Sequence, residues 1–393
     1  MRAWAAVLLV GVLLLVVPGT ASAAPAVCAG HEAPSGPPAR EETVAVPPLP
    51  VPDAPVGGAD LGTCGDLLPA GAAPPAGVAA AGWIVADLDT GAVLAAHDPH
   101  GRERPASTLK ILTTLVARQR LDPDADVVVT PEDVNVDGSR AGIGPGGHYT
   151  VRQLLTGLLL NSGNDCAMAL ARTMGGTQTT LDAMAARAAE LGASDTRPAT
   201  PSGLDGPGMS TSAYDLALLF RVALRDPLVQ QTLLTRTFPF PGFADKPGFL
   251  ISNDDPLLRY PGALGGKTGF TDGARHTFVG AMERGGRRLV VAIVRGEQRP
   301  VRMVTQATTL LDYGFALPPT TSVGTLVDAR PAAPTTTPLA PPAEVAATTS
   351  APPPSPALWI ALGAAVLVIA ALATLTLLRS RSRSRLGRSA PRR

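Results

Sequence analysis

The chain has 393 residues, of which 41 are glycine and 40 are proline, and its formal net charge is +1 from 33 basic and 32 acidic residues. Eight of the arginines are Arg2 and the seven between Arg379 and Arg393, and without them 25 basic and 32 acidic side chains remain. The intervening sequence is therefore acidic and only 4% of all residues are aromatic, which argues against the basic face and stacking side chains of a nucleic-acid-binding protein.

The N-terminus has the pattern of a secretory signal peptide. Arg2 precedes an uncharged apolar run over residues 3–17, and residues 21–23 (Ala-Ser-Ala) form a small-residue cleavage site. We therefore predict a signal peptide over residues 1–23, with an uncleaved membrane anchor as the alternative.

The next segment, residues 24–75, is rich in proline, glycine and alanine and shows no periodicity, which predicts an extended and poorly ordered leader. Two of the three cysteines, Cys28 and Cys64, lie in this leader. Export would permit a disulfide between them, and the sequence leaves that pairing open. The third, Cys166, falls within a helical pattern and is expected to be a buried thiol.

The folded region begins with a hairpin, in which residues 83–88 and 92–96 flank the turn Asp89-Thr90-Gly91. A helix starts near Ser107, and Thr150 with Gln153 forms a capping box that opens a second helix. The central helical patterns cover 151–160, 164–174, 179–191 and 211–225, and strands return at 277–283 and 288–294.

This order of elements predicts the fold class. Strands occur at both ends of the region and helices occupy its centre, so strands from the two ends can form one antiparallel sheet covered by the central helices. We predict an α/β (α+β) sandwich over residues 76–325, without alternating βαβ units.

The C-terminal part has the pattern of a membrane-attached stalk. Residues 331–356 contain nine prolines and a single charged side chain, and residues 357–378 carry no charge over a length that can cross a bilayer. The basic tail 379–393 follows at once, and the positive-inside rule assigns it to the cytoplasm. We predict a single-pass protein of the cell membrane with an extracytoplasmic catalytic domain. A buried core helix is the alternative for 357–378.

The first chemical motif is Ser107-Thr108-Leu109-Lys110. A serine and a lysine three positions apart share one face of a helix, and the serine becomes nucleophilic when a base takes its proton. The chain has three lysines, Lys110, Lys246 and Lys267, against thirty arginines. Arginine does not release its proton in a protein whereas lysine can, so a retained lysine indicates a need for a titratable amine. The alternative for Lys110 is a side chain at a helix edge without a chemical role.

Two further motifs follow. Ser162-Gly163-Asn164 lies in a break between helical runs, where the hydroxyl can relay a proton and the amide can hold a carbonyl, although both residues also suit helix capping. Lys267-Thr268-Gly269 precedes the returning strands. It does not complete a phosphate-binding loop, because Pro261 stands where that motif needs glycine. S-x-x-K, S-x-N and K-T-G in this order are far more specific together than singly.

Together the motifs resemble those of the penicillin-recognising serine enzymes, and within them the D-alanyl-D-alanine carboxypeptidases, the low-molecular-mass penicillin-binding proteins. The likeness covers most of 80–316, and the composition favours the actinobacterial type. The matching stretches are Arg104-Pro105-Ala106-Ser107, Leu158-Leu159-Leu160-Asn161-Ser162-Gly163-Asn164-Asp165, Pro201-Ser202-Gly203-Leu204-Asp205, Tyr260-Pro261-Gly262 and Gly266-Lys267-Thr268-Gly269-Phe270-Thr271-Asp272. The family often has a second, β-rich domain after the catalytic one, for which the predicted stalk leaves no room.

The resemblance implies three catalytic residues. Ser107 would attack the carbonyl of the penultimate D-alanine in a peptidoglycan stem peptide, with Lys110 as the base. Ser162, together with Lys267, would pass a proton to the departing D-alanine. Water would then cleave the acyl-enzyme.

The resemblance also implies how the substrate is held. Asn164 would bind the substrate amide, and the Thr268 hydroxyl would bind the terminal carboxylate with help from Arg302, or from Arg299 as the fallback. Backbone N–H groups of Ser107 and Phe270 would form the oxyanion hole. The predicted substrate-binding residues are Asn164, Lys267, Thr268, Gly269, Phe270 and Arg302. The expected inhibitors are β-lactams, and no cofactor, metal or nucleic acid is expected.

Other classes of protein remain as alternatives. A D,D-endopeptidase or transpeptidase would use the same site, whereas a wall-binding module would not need an intact nucleophile and base. A β-lactamase is disfavoured, because Glu190, the one glutamate between the second and third motifs, is not in an E-x-x-L-N loop. A zinc peptidase is disfavoured because there is no H-E-x-x-H and the histidines are scattered, with His97 and His100 expected in surface loops.

Overall fold

One large antiparallel sheet organises the architecture. The computed structural model describes Cys28 and residues 30–327. Within this part of the chain the strands are β1 (Asp66–Leu67), β2 (Ala80–Asp87), β3 (Ala92–His97), β4 (Asp126–Val128), β5 (His148–Thr150), β6 (Thr237–Phe240), β7 (Phe249–Ser252), β8 (Ala263–Thr271), β9 (Arg275–Arg284), β10 (Arg287–Gly296) and β11 (Gly324–Thr325).

The main sheet has the strand order β1-β3-β2-β10-β9-β8, and β11 also pairs with β3. Its central pairing joins β10 to β2, with Leu289 opposite Asp87 and Gly296 opposite Ala80, so strands from both ends of the folded region meet there. β8 lies at one edge of this sheet. The predicted antiparallel sheet from N- and C-terminal strands is confirmed. Two small sheets, β4–β5 and β6–β7, were not predicted.

The helices cover both faces of the sheet. Alternate residues of β2 and β10 face opposite layers, because successive strand side chains point to opposite sides. Ile84 and Val290 pack with the central helices, whereas Val85 and Val291 pack with the last helix. The helices are α1 (Lys110–Arg120), α2 (Pro131–Val134), α3 (Val151–Leu160), α4 (Asn164–Thr173), α5 (Thr177–Leu191), α6 (Ala213–Ala223), α7 (Pro227–Leu234) and α8 (Met303–Ala316).

Local sequence signals account for several of these boundaries. The Thr150 hydroxyl accepts from the backbone N–H of Gln153 and the Gln153 side chain accepts from the N–H of Thr150, so the predicted capping box starts α3. Gly192 ends α5 in the left-handed conformation, with φ +86°. Neither α7 nor α8 was predicted from the sequence, although Asp226 caps α7 and proline follows it at the first helical position.

The leader differs from its expectation, because it packs on the domain instead of extending from it. Cys28 and Cys64 form a disulfide with a Cα–Cα distance of 5.5 Å. The buried Arg102 side chain donates to the carbonyls of Glu32, Leu49 and Pro50 at 3.0, 2.5 and 2.9 Å. These hydrogen bonds satisfy leader carbonyls that would bond to water if the leader were extended, as its composition predicts. The leader also supplies β1.

No helix within the described residues is both long enough and apolar enough to cross a membrane. The predicted signal peptide (1–23), stalk (331–356), membrane span (357–378) and basic tail (379–393) lie outside those residues. They therefore remain predictions from the sequence.

Candidate active site

The predicted nucleophile lies in a tight turn before α1. Ser107 belongs to a short 3-10 helix, Ala106–Leu109, that continues into α1 at Lys110. Ala106 has φ +48°, a left-handed conformation that is costly for a residue with a Cβ. Gly203 packs against this turn, and a Cβ on Gly203 would lie 2.0 Å from the Ala106 carbonyl oxygen. The turn is thus held by close backbone packing, and Ser107 itself is half-buried.

Lys110 is fully enclosed beneath the serine. Its Nζ lies 2.9 Å from Ser107 Oγ, 2.7 Å from Asn164 Oδ1 and 2.5 Å from the Ser202 carbonyl oxygen. Burial, reinforced by the nearby charge of Lys267, holds the pKa of Lys110 well below its usual range. The amine is therefore prepared to lose its own proton and to accept one.

The three partners of Lys110 define where its lone pair points. A neutral amine has two N–H groups and one lone pair. The amide oxygen of Asn164 and the carbonyl of Ser202 can only accept hydrogen bonds, whereas the hydroxyl of Ser107 can donate. The Asn164 orientation is fixed in turn, because its Nδ2 donates to the Asp137 carbonyl at 2.7 Å. The neutral amine therefore directs its lone pair at the Ser107 hydroxyl, which is the geometry of a general base.

The second motif connects α3 to α4. Ser162 has φ +63°, and its Oγ is buried without a hydrogen-bond partner among the described residues. Asp165 anchors the neighbouring loop, because its carboxylate accepts from the backbone N–H groups of Ala141 and Gly142, both at 2.8 Å. A strained backbone with an unpaired buried hydroxyl is the signature of a functional residue more than of a helix cap.

The third motif lies inside β8, whereas the sequence pattern predicted that it precedes the returning strands. Lys267 is buried, and desolvation lowers its pKa to about 8, although the negative charges of Asp254 and Asp255 act to raise it. Its Nζ donates to the Thr268 carbonyl at 2.9 Å. Burial likewise raises the pKa of Asp255 to about 6. Lys267 can therefore carry a proton near neutral pH and release it without a large cost.

Gly269 lets β8 approach the nucleophile. A Cβ on Gly269 would lie 2.3 Å from Thr277 Oγ1 and 2.9 Å from the backbone nitrogen of Ser107. Thr277 in turn donates to the Pro105 carbonyl at 2.8 Å, which ties β9 to the same turn. The backbone of β8 and the N–H of Ser107 thus face one small region, as an oxyanion hole requires.

Two clefts adjoin this region. A cleft of about 950 Å³ is lined by Thr268 and Gly269 together with Arg259, Arg299 and Arg302. Both arginines considered for carboxylate binding therefore border the same space as the Thr268 side chain. Phe270, half exposed, instead lines a second cleft of about 560 Å³.

Sequence reasoning missed several supporting groups. The Ser202 carbonyl accepts from Lys110, and the Asp165 carboxylate holds the backbone of Ala141 and Gly142, yet neither group belongs to one of the three motifs. In the sequence, Pro201-Ser202-Gly203 is distinguished only by its likeness to the family. Gly203 has φ +84° and packs against Ala106, which is also left-handed. Neither property can be seen in the sequence before the fold is known.

This arrangement can support acyl transfer through a serine, with a lysine as the base. The chain belongs to the peptidase S11 family, D-alanyl-D-alanine carboxypeptidase, whose sequence profile matches residues 70–298. The family resemblance inferred from the motifs is confirmed.

Two relatives indicate how far the likeness extends. D-alanyl-D-alanine carboxypeptidase DacB2 of Mycobacterium tuberculosis is 50% identical over 267 residues, which are 66% of this chain and 91% of that relative. D-alanyl-D-alanine carboxypeptidase DacF of Bacillus subtilis is 31% identical over 239 residues, and the match spans 59% of this chain and 61% of that one.

Solved structures agree with the fold. The crystal structure of D-alanyl-D-alanine carboxypeptidase from Mycobacterium tuberculosis matches 66% of this chain and 99% of that chain, with a TM-score of 0.64 and 48% identity. The Streptomyces K15 DD-transpeptidase matches 62% of this chain and 100% of that one, with a TM-score of 0.59 and 28% identity. The predicted fold class, an antiparallel sheet with helices in the manner of penicillin-recognising enzymes, is confirmed.

Proposed function

We propose that the protein is a serine D-Ala-D-Ala carboxypeptidase that removes the terminal D-alanine from peptidoglycan stem pentapeptides. The observation that carries the proposal is the enclosed contact between Lys110 Nζ and Ser107 Oγ at 2.9 Å. Burial holds the pKa of that lysine well below its usual range, which favours the neutral amine that a base requires. The family membership of residues 70–298 supports the same chemistry.

In the acylation step, Ser107 Oγ attacks the carbonyl carbon of the penultimate D-alanine and gives its proton to Lys110. The tetrahedral oxyanion receives hydrogen bonds from the backbone N–H groups of Ser107 and Phe270. The C–N bond then breaks, and the leaving amine takes a proton that Ser162 relays from Lys110 or Lys267. Free D-alanine and an ester on Ser107 result.

The substrate would lie along the free edge of β8. An extended peptide can add to an exposed sheet edge through backbone hydrogen bonds. Its terminal carboxylate would meet the Thr268 hydroxyl and the guanidinium of Arg302, with Arg299 as the fallback, since all three border the larger cleft. Asn164 would hold the amide of the acyl part.

Deacylation takes a water molecule, which attacks the ester carbon and returns the proton to Ser107 through the same base. A dedicated second base is not provided by Glu190. This glutamate is exposed on α5, where it pairs with Arg187 at 2.7 Å. We therefore expect β-lactams to acylate Ser107 and to remain attached.

The deciding measurement is release of free D-alanine from a peptide ending in D-Ala-D-Ala, with the Ser107→Ala protein as the matched control. Release by the wild-type protein that disappears in the variant is the expected result. If penicillin labels Ser107 but neither protein releases D-alanine, carboxypeptidase activity is rejected and acyl transfer to another acceptor takes its place.

Transpeptidation is the second candidate function. The observation that favours it is the match to the Streptomyces K15 DD-transpeptidase, which covers 100% of that chain at 28% identity. An amine acceptor would replace water in the second step. Adding an acceptor such as glycylglycine distinguishes the two, because a transpeptidase yields the new peptide in preference to the hydrolysed one.

We also propose that the protein is a single-pass membrane protein with its catalytic domain outside the cytoplasm. The apolar runs at 3–17 and 357–378 and the basic tail support this topology. The Cys28–Cys64 disulfide supports it independently, because such bonds persist in oxidising compartments. A reporter fused after Arg393 is expected to resist external protease, and its digestion in intact cells would reject the topology.

A further inference from the structure

A segment of the leader is clamped beside the proposed active site. We call residues 37–41 (Pro-Pro-Ala-Arg-Glu) the leader wall. On one side of it Ser35 Oγ donates to the buried carboxylate of Glu103, and on the other the carboxylate of Glu42 accepts from the buried guanidinium of Arg104, with Nη2 at 2.9 Å. Both clamping residues stand a few positions before Ser107 in the chain. The leader wall is thus fixed to the element that presents the nucleophile.

The leader wall forms one side of the second cleft. This cleft, about 560 Å³, is also lined by Asp137, Leu204 and Phe270 among others. The leader also touches the turn after β8, because a Cβ on Gly273 would lie 3.1 Å from the Ala39 Cβ. Pro37 and Pro38 restrict the backbone of the wall, since each ring fixes φ near −65°. A stiff segment and the half-exposed Phe270 thus border the same cleft.

The position of the second cleft along β8 indicates which part of a bound peptide would enter it. Thr268 borders the larger cleft with its arginines, and Phe270, two residues further along β8, borders the second cleft. A peptide whose terminal carboxylate lies at Thr268 and whose scissile carbonyl lies at Ser107 must continue upstream past Phe270. The second cleft therefore lies where the acyl part of the substrate leaves the reacting centre.

We propose that the leader wall is a specificity-determining part of the active site, which contacts the peptide arm upstream of the scissile bond. The proposal rests on the proposed carboxypeptidase function and deepens it. A short acyl-D-Ala-D-Ala substrate ends before the wall, whereas a stem pentapeptide reaches it. The wall then contributes to kcat/KM for the longer substrate alone.

The test uses the full-length chain and two substrates, N-acetyl-D-Ala-D-Ala and a stem pentapeptide. The variant Pro37→Gly/Pro38→Gly/Arg40→Ser loosens and trims the wall. The matched control, Pro47→Gly/Pro48→Gly, loosens a proline pair in the same leader that does not line the cleft. We expect the ratio of kcat/KM for pentapeptide over short substrate to fall about fivefold or more in the wall variant and to stay unchanged in the control.

The outcomes separate the two proposals. An unchanged ratio in the wall variant, with D-alanine still released from both substrates, overturns the role of the wall and leaves the carboxypeptidase function intact. An equal loss on both substrates also overturns it, because the wall would then support the catalytic centre and not the peptide arm. A wild-type protein inactive on both substrates rejects the carboxypeptidase function itself, and penicillin labelling of Ser107 then shows whether the nucleophile is competent.

Discussion

Replacing Lys110 with arginine removes the base and puts a permanently charged group in its place. A general base contributes about 10²- to 10⁴-fold to rate, and at pH 7 fewer than about one guanidinium in 10⁵ lacks its proton. The larger head group must also enter a fully buried space bounded by oxygens at 2.5 to 2.9 Å from the present Nζ. We expect Lys110→Arg to slow acylation of Ser107 by benzylpenicillin by about 10³-fold or more, measured by mass spectrometry of the intact protein over time.

Two further variants make this result interpretable. Lys246→Arg is the matched control, because Lys246 is an exposed lysine stacked on the Phe243 ring and arginine can do the same. Lys110→Met leaves a neutral side chain of similar length, so it tests loss of the base without a buried charge. Thermal unfolding shows which variants fold. Acylation at a near-normal rate in a folded Lys110→Met or Lys110→Arg protein would refute the assignment of Lys110 as base.

The remaining predictions concern the nucleophile, strand β8 and its lysine. Benzylpenicillin is expected to stay on Ser107 for as long in Glu190→Gln as in the wild type, and a lifetime that Glu190→Gln changes would contradict the assigned surface role of Glu190. Gly269→Ala should reduce kcat/KM about 10²-fold by pushing β8 away from the Ser107 N–H. Gly286→Ala is strained by a φ of +79° but has nothing within 4 Å of its Cβ, so it should lose some stability and retain activity; equal activity in both folded proteins would reject the close approach of β8. The pKa of Lys267 is about 8 when folded and 10.5 ordinarily, so the unfolded chain binds more protons between these values. The free energy of unfolding should therefore rise with pH through that window, by about 3 kcal/mol more in the wild type than in Lys267→Met, and parallel curves by urea unfolding would contradict the lowered pKa.

The sequence predicted the parts of the fold that local patterns determine. The helix over 151–160 follows from an apolar face and a capping box, and the hairpin of β2 and β3 follows from apolar runs around Asp89-Thr90-Gly91. The three motifs identified Ser107 and Lys110, because a lysine in an arginine-rich chain is a chemical signal independent of the fold. These features depend on neighbours within a few positions.

The rest depends on contacts between distant residues. The Ser202 carbonyl that holds Lys110 is a backbone group, so the side-chain pattern does not reveal it. His100 was expected in a surface loop, but it is buried and contacts Asp195 at 2.7 Å. The leader was expected to be poorly ordered because of its composition. The composition does not reveal that Arg102 and Arg104 of the folded domain hydrogen-bond to it.

The pairing of β10 with β2 has a consequence for how the enzyme folds. Asp87 lies opposite Leu289, so the central ladder of the sheet closes a loop that contains helices α1 to α7. Closing so long a loop is entropically costly, and such non-local pairing slows folding. All three motifs are complete in the chain by Gly269, whereas β10 begins at Arg287. A nascent chain that ends between these points holds all three motifs but lacks the strand that joins the two halves of the sheet, and it also lacks Arg299 and Arg302. The enzyme therefore becomes competent only when synthesis has passed β10.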